Sequence, residues 1–192
     1  MSKHGVKLNY VWYVGYGSNL LEERFLCYIK GGQFRLGGHT SSGCNDKTSP
    51  LGSLPTRIPA QMYFARSSKS WYGAGVAFVR EFEPDKADSV VTLGRMWKIT
   101  EEQFECIRDQ ESRNWYDKLI DLGENVDGNR VVTLTNSSTL SPNRPSIQYL
   151  STIALGLKET FGINDEEIKE YLKEMPGIRG GYSDEQLDSI FF

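Results

Sequence analysis

Long apolar runs are missing from this chain. No segment approaches the roughly 18 consecutive apolar residues that a membrane-spanning helix needs, so no membrane partner is expected. An excess of positive charge is missing as well. Lys and Arg total 22 against 25 Asp and Glu, a net charge of -3, which excludes a broad basic surface for nucleic acid. Histidine is confined to His4 and His39, and cysteine to Cys27, Cys44 and Cys106. His39 and Cys44 share one loop, but two donors do not make a zinc site, which normally takes four. Three cysteines are an odd number without close pairs, a pattern that fits a reducing interior better than a disulfide framework. Residues 1–7 hold no apolar stretch of the kind a secretory signal carries. A cytoplasmic protein is therefore expected.

The composition is that of an ordinary globular chain, 39% hydrophobic and 24% charged over 192 residues, enough for one domain spanning 1–192. Residues 10–16, Tyr-Val-Trp-Tyr-Val-Gly-Tyr, are dense in β-branched and aromatic side chains and read as a buried strand. Gly17-Ser18-Asn19 breaks it. Asn19 then stands as a helix cap, with Glu22 three positions on and Leu21, Phe25, Tyr28 and Ile29 on one apolar face. Residues 31–58 are rich in glycine, serine and proline and read as a flexible surface segment. Strands are expected at 61–66, 74–82, 90–99, 115–122 and 130–135, with Asp127-Gly128 as the turn of the last hairpin. Thr100 and Gln103 frame a capping box ahead of a short helix that buries Phe104 and Ile107 and runs into Asp109-Gln110-Glu111. The C-terminal third is helical. Ile147, Leu150, Ile153, Leu157 and Phe161 mark one amphipathic stripe, Asn164 and Glu167 cap a second helix, and Leu187 and Ile190 sit on a last short turn. Strands gathered in the middle and helices at the end give an α+β class rather than a βαβ repeat.

The junction Tyr16-Gly17-Ser18-Asn19 joins strand to helix. Free backbone N–H groups and the positive end of a helix favour a carboxylate, a phosphate or a developing oxyanion there. A dinucleotide fingerprint needs a third glycine where this chain has Leu20. A nucleophile elbow at Ser18 needs glycines where Tyr16 and Leu20 stand. A purely structural cap accounts for the loop taken alone.

The segment Tyr13-Val14-Gly15-Tyr16-Gly17-Ser18-Asn19-Leu20 resembles the opening of the γ-glutamylcyclotransferase family, in which an aromatic strand runs into Tyr-Gly-Ser-Asn. Three further likenesses follow in order. Residues 74–82 and 91–99 resemble a central strand pair leading into a helix, Asp109-Gln110-Glu111 resembles an acidic stretch at that helix's end, and Ser146-Ile147-Gln148-Tyr149 resembles the opening of a later helix. Together they cover roughly residues 10–175.

This resemblance implies a small twisted mixed β-barrel flanked by helices. It implies that the α-amino group of a γ-glutamyl substrate attacks its own γ-carbonyl, forming 5-oxoproline and releasing an amine, with no metal or organic cofactor. It gives Glu111 the role of general acid and base. It gives substrate binding to Tyr13, Val14, Gly15, Tyr16, Gly17, Ser18 and Asn19, with the hydroxyls of Tyr116 and Tyr149 on the substrate's carboxylate. The implied partner is a small γ-glutamyl molecule, and a homodimer is left open. Departures from the family pattern are Gly15, where alanine is frequent, Ser112, where glycine is common, a short 111–116 interval, and the segment 31–58, which has no clear counterpart.

Overall fold

The computed structural model describes residues 9–81, 91–125 and 127–191. Its strands are β1 (Tyr10–Gly15), β2 (Gly52–Ile58), β3 (Ala60–Ser68), β4 (Ala74–Glu81), β5 (Thr92–Thr100), β6 (Lys118–Glu124) and β7 (Arg130–Thr135). Its helices are α1 (Glu22–Lys30), α2 (Glu101–Gln110), α3 (Ile147–Phe161), α4 (Asp165–Lys173) and α5 (Asp184–Asp188). The class is α+β, as the order of elements along the chain implies. Phe82, Val90 and His4 lie outside the described residues.

Five strands form one sheet in the order β2-β5-β1-β7-β6, and β3 pairs with β4 in a separate antiparallel ribbon. β1 is central, antiparallel to β5 and parallel to β7. Both of its faces are buried, which is why its sequence is a nearly unbroken apolar run rather than an alternation. Trp12 and Val14 enter one core with Leu20, Phe64, Phe78 and Leu150. Val11 and Tyr13 enter a second with Phe25, Trp97, Phe104 and Ile107. The second core fixes α1 and α2 against one face of β1, where Phe25 stacks on Trp97 at 4.6 Å between ring centres. A side chain buried as fully as Phe25 contributes about 1.5–3 kcal/mol relative to an exposed one.

The sheets do not close into the expected barrel. β2 and β6 remain as the two edges of the large sheet. Pro55 in β2 has no N–H to offer, and the β6–β7 register shifts between Asp121 and Glu124, where Gly123 takes a φ of 93°. A cavity of about 480 Å³ lies between these edges, lined by Ile58, Met96, Ile120 and Val131 among others.

Three local expectations also change. Gly52–Ile58, read as part of a flexible segment, is strand β2, because an edge strand tolerates the proline that argued against one. Residues 31–51 fold against α1 and α2, burying Phe34, Ser41 and Cys44. Cys44 is disulfide-bonded to Cys106 of α2, 62 positions away, so the absence of close pairs in sequence concealed a pairing that the fold makes. Trp115 and Tyr116 lie in a turn before β6 instead of within a strand. Both remaining capping boxes, Thr100 with Gln103 and Asn164 with Glu167, form as expected. Among the described residues no helix is long and apolar enough to cross a membrane.

Candidate active site

β1 ends at Gly15, and a short 3-10 turn over Ser18–Leu20 separates it from α1. Asn19 does not cap α1. The N-cap position is Leu21, with no side-chain hydrogen bond, and the Asn19 side chain turns elsewhere. Its Nδ2 donates to Glu111 Oε1 at 2.7 Å and to Tyr13 Oη at 3.2 Å. Trp97 Nε1 holds the Asn19 carbonyl at 2.9 Å, so the residue is anchored from below by β5. Asn19 Oδ1 is buried without a protein partner.

Glu111 reaches the same place from α2. The capping box fixes the start of that helix, and Phe104 and Ile107 hold it on the second core. Gln110 fastens its end: Nε2 donates to the Tyr28 carbonyl at 2.9 Å, and Oε1 accepts from Ser41 Oγ. Glu111 then follows as the helix C-cap, half-buried, with its N–H bonded to the Ile107 carbonyl. Ser112 adopts a φ of 61°, the left-handed conformation that glycine occupies without strain, so the position is one that suits glycine and the serine carries a backbone cost there.

Between these two arrivals lies a cavity of about 370 Å³. Tyr13, Gly15, Tyr16, Gly17, Ser18, Asn19, Glu111, Tyr116 and Tyr149 all line it. Val14 does not, since its side chain is fully buried in the first core, on the opposite face of β1 from Tyr13. Glycine is required at two positions. A β-carbon at Gly15 would sit 2.7 Å from that of Asn19, and one at Gly17 would sit 2.7 Å from Tyr149 Oη.

The tyrosine hydroxyls are engaged in different ways. Tyr16 Oη donates to the Leu134 carbonyl at 2.7 Å. Tyr116 stacks on Phe78 at 4.8 Å and donates to the Ala77 carbonyl at 3.0 Å, so its proton is already committed. Tyr149 Oη instead accepts from the Ala77 amide at 3.1 Å, which leaves its own proton for a molecule in the cavity. Burial pushes the Tyr149 phenol up to about 12, against the backbone amides of Ala77 and Ser18, which favour the charged form. Burial likewise holds Tyr13 and Tyr16 well above the usual phenol range, with the Glu111 charge adding to the effect at both. All three are therefore neutral hydroxyls at physiological pH.

Arg24 of α1 also lines the cavity and had no role in the sequence reading, while Tyr28, His39 and Gln110, read there as a core position, an insufficient zinc donor and part of an acidic stretch, line it as well. A signal for Arg24 existed. It sits three positions after Leu21 and four before Tyr28, on the stripe otherwise assigned to core residues. Burial lowers the His39 pKa, and the neighbouring Arg24 charge lowers it further. Among the described residues no group of three or more His, Cys, Asp or Glu is arranged to hold a metal ion.

No known family model matches the chain. Among curated proteins, histone deacetylase 5 of Arabidopsis thaliana is 28% identical over 204 residues, covering 84% of this chain and 30% of that protein. The chain thus spans less than a third of that relative's length. Two solved structures superpose at a TM-score of 0.61 and 21% identity, covering 95% of this chain and 98% of each of theirs. One is described as a γ-glutamyl cyclotransferase and the other as an uncharacterized protein from Homo sapiens. This chain has the γ-glutamyl cyclotransferase fold.

Proposed function

We propose that this protein cyclises a γ-glutamyl amino acid or amide, releasing 5-oxoproline and the free amine. The observation that carries the reading is the 2.7 Å hydrogen bond from Asn19 to Glu111 across the cavity that Gly17 also lines. It sets one carboxylate beside a turn of backbone amides, the pair of features this reaction requires.

Glu111 takes a proton from the substrate's α-ammonium group. The freed nitrogen attacks the γ-carbonyl carbon, a C–N bond forms and the ring closes. The carbonyl oxygen becomes negative and is stabilised by N–H groups of the turn after β1 and by the Tyr149 hydroxyl. The ring nitrogen, which attacked as –NH2, sheds its second proton to water, the old amide C–N bond breaks, and Glu111 returns its proton to the departing nitrogen, leaving 5-oxoproline with one N–H. One carboxylate serves both transfers because they occur in sequence. The remaining work is to fold the substrate so that its ends meet, for which a small walled cavity is suited. Well-oriented intramolecular reactions reach effective molarities of about 10⁵–10⁸ M. The reading needs no cofactor, and it places the protein in the cytoplasm with a small-molecule γ-glutamyl substrate.

The test is release of 5-oxoproline across a panel of γ-glutamyl amino acids and γ-glutamyl amines, with Glu111→Gln as the control. A second reading keeps the cavity as a binding site for a small carboxylate without turnover. Arg24, a buried cation on the cavity wall without an ion-pair partner among the described residues, favours an anionic ligand in either case. That reading expects thermal stabilisation by 5-oxoproline or glutamate and no product from any donor.

A further inference from the structure

Two arginines are buried among the described residues, and their surroundings differ. Arg95 is surrounded by partners: Glu159, Glu22 at 3.3 Å and Ser53 at 2.9 Å. Arg24 is only 1% exposed, lies 4.2 Å over the Tyr28 ring and donates from Nη2 to Tyr28 Oη at 2.7 Å. Its Nε and Nη1 are buried with no hydrogen-bond partner, and no carboxylate among the described residues forms an ion pair with it. Gly38 packs directly on it, since a β-carbon there would lie 3.4–3.5 Å from the guanidinium. A guanidinium shielded from water, with two donors unpaired and no carboxylate in ion-pair contact, is costly to bury, and it persists where a ligand or another constraint requires it.

The geometry relates this charge to Glu111. Tyr28, which accepts from Arg24, feels the Glu111 charge, and all three groups line the same cavity. In a γ-glutamyl compound the α-amine and the α-carboxylate share one carbon. If Glu111 faces the amine, the carboxylate stands within a bond or two of it, where an unopposed negative charge would be repelled. Arg24 is the cation on that wall.

We propose that Arg24 is a specificity-determining residue that binds the α-carboxylate of the glutamyl group, with two otherwise unpaired donors, and so restricts the cavity to substrates that carry it. This rests on the cyclotransferase reading. It also assigns the carboxylate away from Tyr116, whose hydroxyl proton is already held by Ala77.

The experiment compares kcat/KM of the full chain for a γ-glutamyl amide and for the matching 4-aminobutyryl amide. The second has the same backbone without the α-carboxylate and closes to pyrrolidin-2-one. The wild type should prefer the first by roughly 10–100-fold, the usual value of a charge-assisted hydrogen-bonded contact. Arg24→Gln should bring the ratio close to one, with Arg24→Lys in between. A wild type that treats both donors alike, or an Arg24→Gln variant that keeps the full preference, overturns the proposal. If Arg24→Gln does not fold, thermal stabilisation of the wild type decides: 5-oxoproline should raise Tm and pyrrolidin-2-one should not, and equal effects overturn the assignment. If no γ-glutamyl donor is turned over at all, the cyclotransferase reading fails, and the same ligand comparison still decides the role of Arg24.

Discussion

A β-carbon placed on Gly17 would stand 2.7 Å from the hydroxyl oxygen of Tyr149 and 3.1 Å from the β-carbon of Ala77. The turn after β1 and the start of α3 are thus fitted to each other through a glycine. Gly17→Ala should push the Tyr149 ring off Ala77 and cost about 1–3 kcal/mol of stability, as overpacking does elsewhere. Adding Tyr149→Phe removes the clashing oxygen and should recover part of that loss. A double-mutant cycle by urea denaturation measures this coupling, and strict additivity would show that the two residues do not press on one another.

The disulfide between Cys44 and Cys106 ties the loop that carries His39 and Gly38 to α2, one turn before Glu111. Closing 62 residues of chain removes freedom from the unfolded state, and the expected stabilisation is roughly 2–4 kcal/mol. Reductant should lower Tm in the wild type and leave a Cys44→Ser/Cys106→Ser variant unmoved. In a reducing compartment the bond would open, so the same measurement shows how much stability the protein retains there. Equal melting with and without reductant would remove the bond from the account of stability.

His39 carries a pH dependence with a definite sign. Its folded-state pKa lies below the ordinary 6.5, through burial first and then the Arg24 charge. Between the folded value and 6.5 the unfolded chain holds a proton that the native protein does not. The stability from keeping His39 neutral is therefore full above 6.5 and is lost as pH falls through the folded value. Denaturation curves on either side of that window should show a smaller acid-side loss in His39→Gln than in the wild type. Identical slopes would mean that neither burial nor the Arg24 charge holds the His39 pKa down.

Much of this was legible from residue order alone. The buried run of β1, the Thr100–Gln103 and Asn164–Glu167 boxes and the α3 stripe are local signals, and each formed where the spacing put it. Asn19 was legible as important but for the wrong reason: its side chain was free to cap a helix, and only the approach of Glu111, 92 positions away, gives it a different partner. β2 was missed because proline and glycine argue against a strand unless it is known to be an edge. The disulfide and the open barrel depend on how distant segments approach, which no local pattern records. Arg24 was passed over because a single charge on an apolar stripe looks like an exception to the stripe. Its meaning depends on two buried donors without partners beside the cavity, and that is visible only in three dimensions.

The central claim is that Glu111 moves the proton in a reaction confined to this cavity. Its most direct test is the rate of 5-oxoproline release from the best γ-glutamyl donor, wild type against Glu111→Gln, with folding checked by circular dichroism. The expected loss is about 10²–10⁴-fold in kcat, the range for removing a general base, with the fold intact. A Glu111→Gln enzyme that releases 5-oxoproline at the wild-type rate would contradict the account.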